Sequence, residues 1–262
     1  MLPRYLKTRS AQALLCLCAF FTCAAASNAA DAPRTAGQPF VIVLDPGHTP
    51  KQPGALGVKG IYEVSYNDAL SAKLAKALEA AGAQVVLTRA SSEEISLDRR
   101  AELANARQAD LFLALHHDSA QLKYLAKIEV NGTPAYQTVQ PIAGYSIFVS
   151  QRNPKFAQSQ QFAKLLGQEL LALGRHPALH HAEPIAGENR ELLDAKLGIY
   201  KFDELLVLRK TTVPAVLLEV GVIVDAGDEK YVADNAKQDA IVQAIVAAVE
   251  KFQHSVLPQL QN

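Results

Sequence analysis

His48, His116, Glu219 and Glu63 are the residues of this 262-residue chain whose types and positions could do chemistry together. His48 comes just after the apolar run Phe40-Val-Ile-Val-Leu44. His116 directly follows Leu111-Phe-Leu-Ala-Leu115, and Glu219 directly follows Val213-Pro-Ala-Val-Leu-Leu218. Continuous runs of this kind read as strands buried on both faces. In α/β sheets, ligands bind beyond the carboxyl ends of the strands, where all three residues fall. Glu63 lies immediately before the first helical stretch, so the same rim can present it. Two imidazoles and a carboxylate are the usual protein ligands of a catalytic zinc, with a fourth position left for water. A second carboxylate nearby would shuttle protons in a metal-assisted hydrolysis. Taken singly, a loop histidine decorates a surface and a glutamate before a helix complements its dipole. Their convergence on one rim is what gives them weight.

The elements that must position them follow from periodicity. After the Phe40–Leu44 strand, a Gly- and Pro-rich loop runs from Asp45 to Gly60. Ser65-Tyr-Asn-Asp68 has the form of a capping box, and Leu70, Leu74, Ala77, Leu78 and Ala81 recur at helical spacing up to Gly82. Gln84 to Thr88 reads as a strand, Leu97 to Gln108 as a helix and Tyr145 to Val149 as a strand. Phe162, Leu165, Leu166, Leu170 and Leu173 mark a helix ending near Gly174. Ala240 to Phe252 marks the last helix. Gln121–Ala143 has no clear period and is expected to form a long surface excursion. His176–Lys196 is expected to be irregular or weakly helical, with His176, His180 and His181 as exposed loop histidines rather than a second metal site. Strands alternating with helices predict one α/β domain, with a twisted, mostly parallel (mixed) sheet flanked by helices.

Composition bounds the function. Hydrophobic residues make up 49% and charged residues 20%, which excludes a disordered or fibrous chain. With 26 Lys plus Arg against 26 Asp plus Glu, no basic excess exists to hold nucleic acid or an anionic membrane. Arg4, Lys7 and Arg9 precede an apolar stretch from Ala11 to Ala26, and small residues follow at Ser27-Asn28-Ala29. This is the pattern of a secretory signal peptide over 1–29, cleaved rather than left spanning the membrane. Residues 30–39 then form a flexible lead, and 40–262 the catalytic domain. Cys16, Cys18 and Cys23 all lie in the leader, so the mature chain has no disulfide or thiol chemistry. Export without a wall-anchoring repeat favours the periplasm.

Several spaced motifs resemble one family. Val41-Ile-Val-Leu-Asp-Pro-Gly-His48 with Gly54-Ala55, Gly60-x-x-Glu63-x-x-x-Asn67, and Val86-Leu-Thr-Arg89 are three of them. Leu97-x-x-Arg100-x-x-x-Ala104-Asn105, Ala109-Asp-Leu-Phe-Leu-Ala-Leu-His116, Val207-Leu-Arg209 and Pro214-Ala-Val-Leu-Leu-Glu219-x-Gly221-x-x-x-Asp225 continue the series. From about Val41 to Phe252 the chain is similar to the zinc-dependent N-acetylmuramoyl-L-alanine amidases of the Amidase_3 family. The resemblance implies zinc held by His48, Glu63 and His116, with Glu219 as catalytic acid/base. It also implies peptidoglycan as substrate, cut between the lactyl group of N-acetylmuramic acid and L-alanine. Arg100 and Asn105 are expected to be structural or to support the site residues from behind rather than to be catalytic, and Asp45 and Pro46 to shape the turn that aims His48.

Departures from the pattern sharpen the expectations. Thr49-Pro50 stands where the family usually continues with two glycines. His117 stands where a small residue usually follows the second ligand; strand alternation lets only one of the pair reach the metal, and the motif favours His116. Some relatives carry a helix that plugs the site until an activator withdraws it. The segment between Val149 and the helix near Phe162 is too short for that, which leaves Gln121–Ala143 or His176–Lys196 as a lid and any activator unidentified. Two rival readings use the same residues. An iron oxygenase also takes two His and a carboxylate, and a non-catalytic wall-binding homologue would keep the fold without turnover.

Overall fold

Fully apolar strands need cover on both faces, and the chain supplies it from helices on each side of one sheet. The computed structural model describes residues 38–256; the expected leader, and nearly all of the lead after it, lie outside them. The strands are β1 (Val41–Pro46), β2 (Gln84–Leu87), β3 (Leu111–Asp118), β4 (Leu125–Val130), β5 (Thr133–Thr138), β6 (Ser146–Val149), β7 (Leu192–Asp194), β8 (Ile199–Lys201) and β9 (Ala215–Val222). The helices are α1 (Glu63–Ala80), α2 (Leu97–Ala106), α3 (Phe156–Ala172), α4 (Leu206–Lys210), α5 (Ala226–Ala233) and α6 (Asn235–Val256). Seven strands form a sheet in the order β2-β1-β3-β9-β6-β8-β7. The β2-β1-β3-β9 half is parallel; β6 runs antiparallel to β9, and β7 antiparallel to β8. The expected mixed α/β sheet is present.

Alternation along the strands sorts side chains between two cores. Ile42, Leu44, Leu113, Leu115 and Leu218 point into the larger one, against α1, α3 and α6. Leu70, Leu74 and Leu78 recur at helical spacing on α1 and are fully buried there. Burying such side chains stabilises by roughly 1.5–3 kcal/mol each. Val43, Phe112, Ala114 and Leu217 point to the other face, against α2 and α4. Asp45, His116 and Glu219 continue the pattern of Val43, Ala114 and Leu217 by two residues each. The sheet thus leaves its apolar core and enters polar ground on this face, first at Asp45, level with Ala114 and Leu217, and then at the paired His116 and Glu219.

Four local expectations need correction. Helix α1 begins at Glu63, two residues before the Ser65 capping box, and no side chain caps it. Its first amides are taken by loop carbonyls instead: Glu63 N donates to Ala55 O at 2.8 Å and Val64 N to Pro53 O at 3.0 Å. Gln121–Ala143 contains an antiparallel hairpin, β4–β5, turned at Asn131-Gly132. The His176–Lys196 stretch holds a 3-10 turn at His180–Ala182 and strand β7. Strands β3 and β9 run on to Asp118 and Val222, so His116 and Glu219 lie inside them rather than beyond their ends.

Candidate metal centre and its cleft

Glu63 reaches over the sheet end from the first turn of α1 and meets both imidazoles. Its Oε2 lies 2.8 Å from His48 Nε2, and its Oε1 3.0 Å from His116 Nδ1. The three ligand atoms lie within 4.8 Å of one another. The carboxylate is enclosed, with its side chain 6% exposed, while His48 and His116 are 31% and 19% exposed and face a cleft. Ala55 N donates to Oε2 at 3.2 Å; Asn67 Nδ2 and His117 N donate to Oε1 at 3.3 and 3.2 Å. Burial opposes the charge on Glu63, but His116 and His48 outweigh it and hold the carboxyl below its usual range.

Strand alternation sends the adjacent histidines to opposite faces. His117 points to the opposite face, where it is buried with Nδ1 2.7 Å from Asn67 Oδ1 and its ring beside Tyr66. Burial is the main cause that pushes its imidazole down to about 4, so it is neutral near pH 7. His116 alone of the pair joins the cluster.

His48 is aimed by its own backbone. It stands at φ 65°, in the left-handed region that non-glycine residues seldom adopt. Its carbonyl oxygen accepts from Arg100 Nη2 at 2.6 Å and from Arg89 Nε at 2.8 Å. Arg100 also donates to Pro46 O at 2.8 Å and pairs with the buried carboxylate of Asp45. Asp45 therefore acts on the His48 turn through Arg100, not by bending the chain itself. Asn105 fastens α2 to the chain after α4 through Lys210 O and Thr212 N. The glycines nearby are demanded by close approach: a Cβ on Gly47 would meet the His116 ring at 2.3 Å, and one on Gly54 would meet Glu63 Oε2 at 2.3 Å. Thr49-Pro50 occupies a tight turn closed by Thr49 N to Gln52 O at 3.2 Å and Gln52 N to Thr49 O at 3.0 Å. Asp225, the last residue of the late motif, caps α5 by accepting from Gly227 N and Asp228 N, both at 3.0 Å.

Glu219 pairs in register with His116 across β3 and β9, and both line a cleft of about 640 Å³. Its Oε2 is enclosed and has no hydrogen-bond partner among the described residues. Burial, then Asp118 and Glu63, raise its carboxyl well above the ordinary range. A carboxyl so placed holds its proton more tightly than a free one. Phe148, Phe202 and Arg190 line the same cleft, with the Arg190 guanidinium 3.8 Å from the Phe202 ring centroid.

His180 and His181 are not exposed loop histidines. Both are buried, while His176 alone of the three is exposed. His181 also lines the cleft, its Nε2 2.7 Å from Asp118 Oδ2 and its Nδ1 2.9 Å from Glu188 Oε2. Burial opposes its charge, but Asp118 and Glu188 outweigh it and lift the imidazole to about 9. The 176–196 segment is thus pinned at the sheet end as a cleft wall.

Fold and site together define a class of single-domain α/β proteins with a His–Glu–His cluster and an unpaired carboxylate oxygen in one cleft. The catalytic domain of CwlV, an N-acetylmuramoyl-L-alanine amidase from Bacillus (Paenibacillus) polymyxa var. colistinus, has this fold. It matches with a TM-score of 0.61 at 24% identity, over 82% of this chain and 98% of that one. The Amidase_3 family model, N-acetylmuramoyl-L-alanine amidase, matches residues 42–251, and the chain belongs to that family. It is 26% identical over 232 residues to the N-acetylmuramoyl-L-alanine amidase AmiC of Neisseria meningitidis serogroup B, covering 82% of this chain and 53% of the relative. It is 26% identical over 230 residues to AmiA of Escherichia coli K12, covering 84% of this chain and 78% of that protein. The chain thus spans about half the length of the Neisseria relative. No helix among the described residues is long and apolar enough to cross a membrane.

Proposed function

We propose that this chain is a zinc-dependent amidase that hydrolyses the amide between the lactyl group of N-acetylmuramic acid and L-alanine in peptidoglycan. The observation that carries the reading is the convergence of His48, Glu63 and His116 within 4.8 Å, beside the unpaired Oε2 of Glu219. Two imidazoles and one carboxylate are a donor set that suits zinc and leaves a position open. His48, Glu63 and His116 would hold it. When bound, zinc supplies a Lewis acid that polarises an amide carbonyl and makes water acidic enough to ionise near neutrality.

The chain's own residues do the rest. Glu219 takes a proton from the attacking water onto its free carboxylate oxygen. The same proton then goes to the alanine nitrogen as the C–N bond breaks, because an unprotonated amine is a poor leaving group. Enclosure favours the protonated form of Glu219, the form that delivers the proton to the nitrogen. Arg100 and Arg89 keep His48 oriented, and Asn67 with the amides of Ala55 and His117 keeps Glu63 oriented. Phe148 and Phe202 present an apolar wall along which a glycopeptide lies. The leader over 1–29 would deliver the chain to the envelope, where this substrate is found.

Product analysis tests the reading. Digestion of purified peptidoglycan should yield glycan strands stripped of peptide, and free peptides beginning with L-alanine. Cleavage at another bond, or binding to the wall without cleavage, would overturn it; the latter is the behaviour of a non-catalytic homologue.

A further inference from the structure

Beyond the His48 cluster, a second set of metal-ligating side chains meets at the end of β3. Asp118 stands two residues after His116, past a register shift in the β3–β9 pairing. His180 and His181 come from the 3-10 turn at His180–Ala182. Asp118 Oδ2 lies 2.7 Å from His181 Nε2 and 3.3 Å from His180 Nε2. The three ligand atoms lie within 4.8 Å of one another. Their side chains are 11%, 4% and 9% exposed for Asp118, His180 and His181.

Two further observations point to an ion. Neither ring nitrogen of the buried His180 makes a hydrogen bond among the described residues, although Nε2 faces Asp118. Buried polar atoms in native proteins are nearly always paired, so a histidine left this way calls for a missing partner. In addition, His181 Nδ1 lies against Glu188 Oε2 at 2.9 Å. A carboxylate that takes the Nδ1–H fixes the tautomer and leaves the Nε2 lone pair for a cation, the usual outer support of a metal-bound histidine. A charged His181 held between Asp118 and Glu188 would explain that residue without a metal, but would leave His180 with one 3.3 Å contact to Asp118 and, among the described residues, no partner at Nδ1.

We propose that Asp118, His180 and His181 form a second divalent-cation site, of the zinc-binding type, with Glu188 orienting His181. Two imidazoles and one carboxylate again make the donor set, with a position open for water. The site shares no ligand with the His48–Glu63–His116 cluster. Asp118 and His116 are separated by roughly 6–7 Å of strand, whereas paired catalytic metals sit about 3.5–4 Å apart. It is a separate mononuclear site, of whose ligands His181 lines the same cleft. Its ion would tie the 176–196 segment, and with it Arg190, to the end of β3. The proposal does not rest on the reading of the first site.

The test is metal stoichiometry, independent of activity. The mature chain, without the cysteine-bearing leader over 1–29, stripped with chelator and reloaded with zinc against a chromophoric competitor, should bind two equivalents. His180→Ala and His48→Ala should each bind one, and the double variant none. Asp118→Asn, which keeps the side-chain shape, should likewise bind one; circular dichroism checks that each variant is folded. If His180→Ala does not fold, the wild-type count and Asp118→Asn decide. One equivalent in the wild type, or two in a folded His180→Ala or Asp118→Asn chain, would overturn the second site. A single equivalent lost with His48→Ala alone would do so while leaving the first site standing. A single equivalent lost with His180→Ala alone would sink the first reading instead.

Discussion

Arg100 Nη2 donates to the main-chain carbonyl of His48 at 2.6 Å, and this contact fixes a residue whose φ of 65° lies in the left-handed region. A strained backbone at a site persists only where surrounding contacts over-determine it. Arg100 supplies that determination from α2, with its other nitrogen on Asp45 and Pro46. Arg100→Lys cannot span these acceptors with a planar fork. Zinc affinity and hydrolysis should fall together, by roughly the 10–100-fold seen when outer support of a metal ligand is lost. Arg100→Ala should in addition lower stability by roughly 3–5 kcal/mol, because the buried Asp45 keeps the Thr88 hydroxyl but loses its counter-charge. Zinc titration and denaturant unfolding of both variants check this; a Lys variant with wild-type zinc affinity would refute the positioning role.

Glu219→Gln separates catalysis from binding. The substitution keeps shape and removes proton exchange at the enclosed oxygen. Zinc content and melting temperature should stay near wild type, while hydrolysis falls by about 10²–10⁴-fold. A folded, zinc-loaded Gln variant with normal turnover would remove Glu219 from the mechanism.

His117→Ala should damage the fold and spare the metal. His117 is buried against Tyr66 and bonded to Asn67, so truncation leaves a cavity and an unpaired amide oxygen. The expected loss is roughly 2–4 kcal/mol of stability. The zinc count per folded chain should not change. Loss of the His48-cluster zinc from folded His117→Ala protein would show that the other histidine is the ligand.

Glu229 predicts a pH dependence away from the site. It is fully buried, accepts from Tyr66 Oη at 2.9 Å and from Lys59 N at 3.0 Å, and anchors the loop leading to Glu63. Burial raises its carboxyl above the usual value, and Tyr66 and Lys59 offset this only in part. The folded protein thus binds this proton more tightly than the unfolded chain does. Stability from this group is fully present below the unfolded value near 4.5 and is lost as pH rises from there through the higher folded value. Glu229→Gln cannot ionise, so its melting temperature should gain on wild type as pH rises from about 4 to about 7. A constant difference across that range would contradict the prediction.

The legible parts of this chain are those written in local pattern. The Val41–Leu44 and Leu111–Leu115 runs announce buried strands, which places His48 and His116 at one end of a sheet. The α1 spacing then brings Glu63 to the same rim. The second cluster was illegible because Asp118 meets His180 and His181 across more than sixty residues, and those histidines sit in an aperiodic stretch. Exposure was the wrong inference there, since irregular chain can be buried when side-chain pairs satisfy it. The β4–β5 hairpin did leave a signal: Asn131 and Gly132, at φ 51° and 76°, are the Asn-Gly pair favoured in two-residue hairpin turns. Strands β7 and β8, at three residues each, are too short for a period to show. Asp45–Arg100 pairs across 55 positions, so only the fold reveals how His48 is held.

The most direct test of the central claim measures new N-terminal alanine released from purified peptidoglycan by protein stripped with chelator and then reloaded with zinc. Release should vanish on stripping, return on reloading, and stay absent in folded His48→Ala protein under both conditions. Release that survives chelation, or that persists in the His48→Ala chain, would contradict a zinc-dependent amidase built on His48, Glu63 and His116.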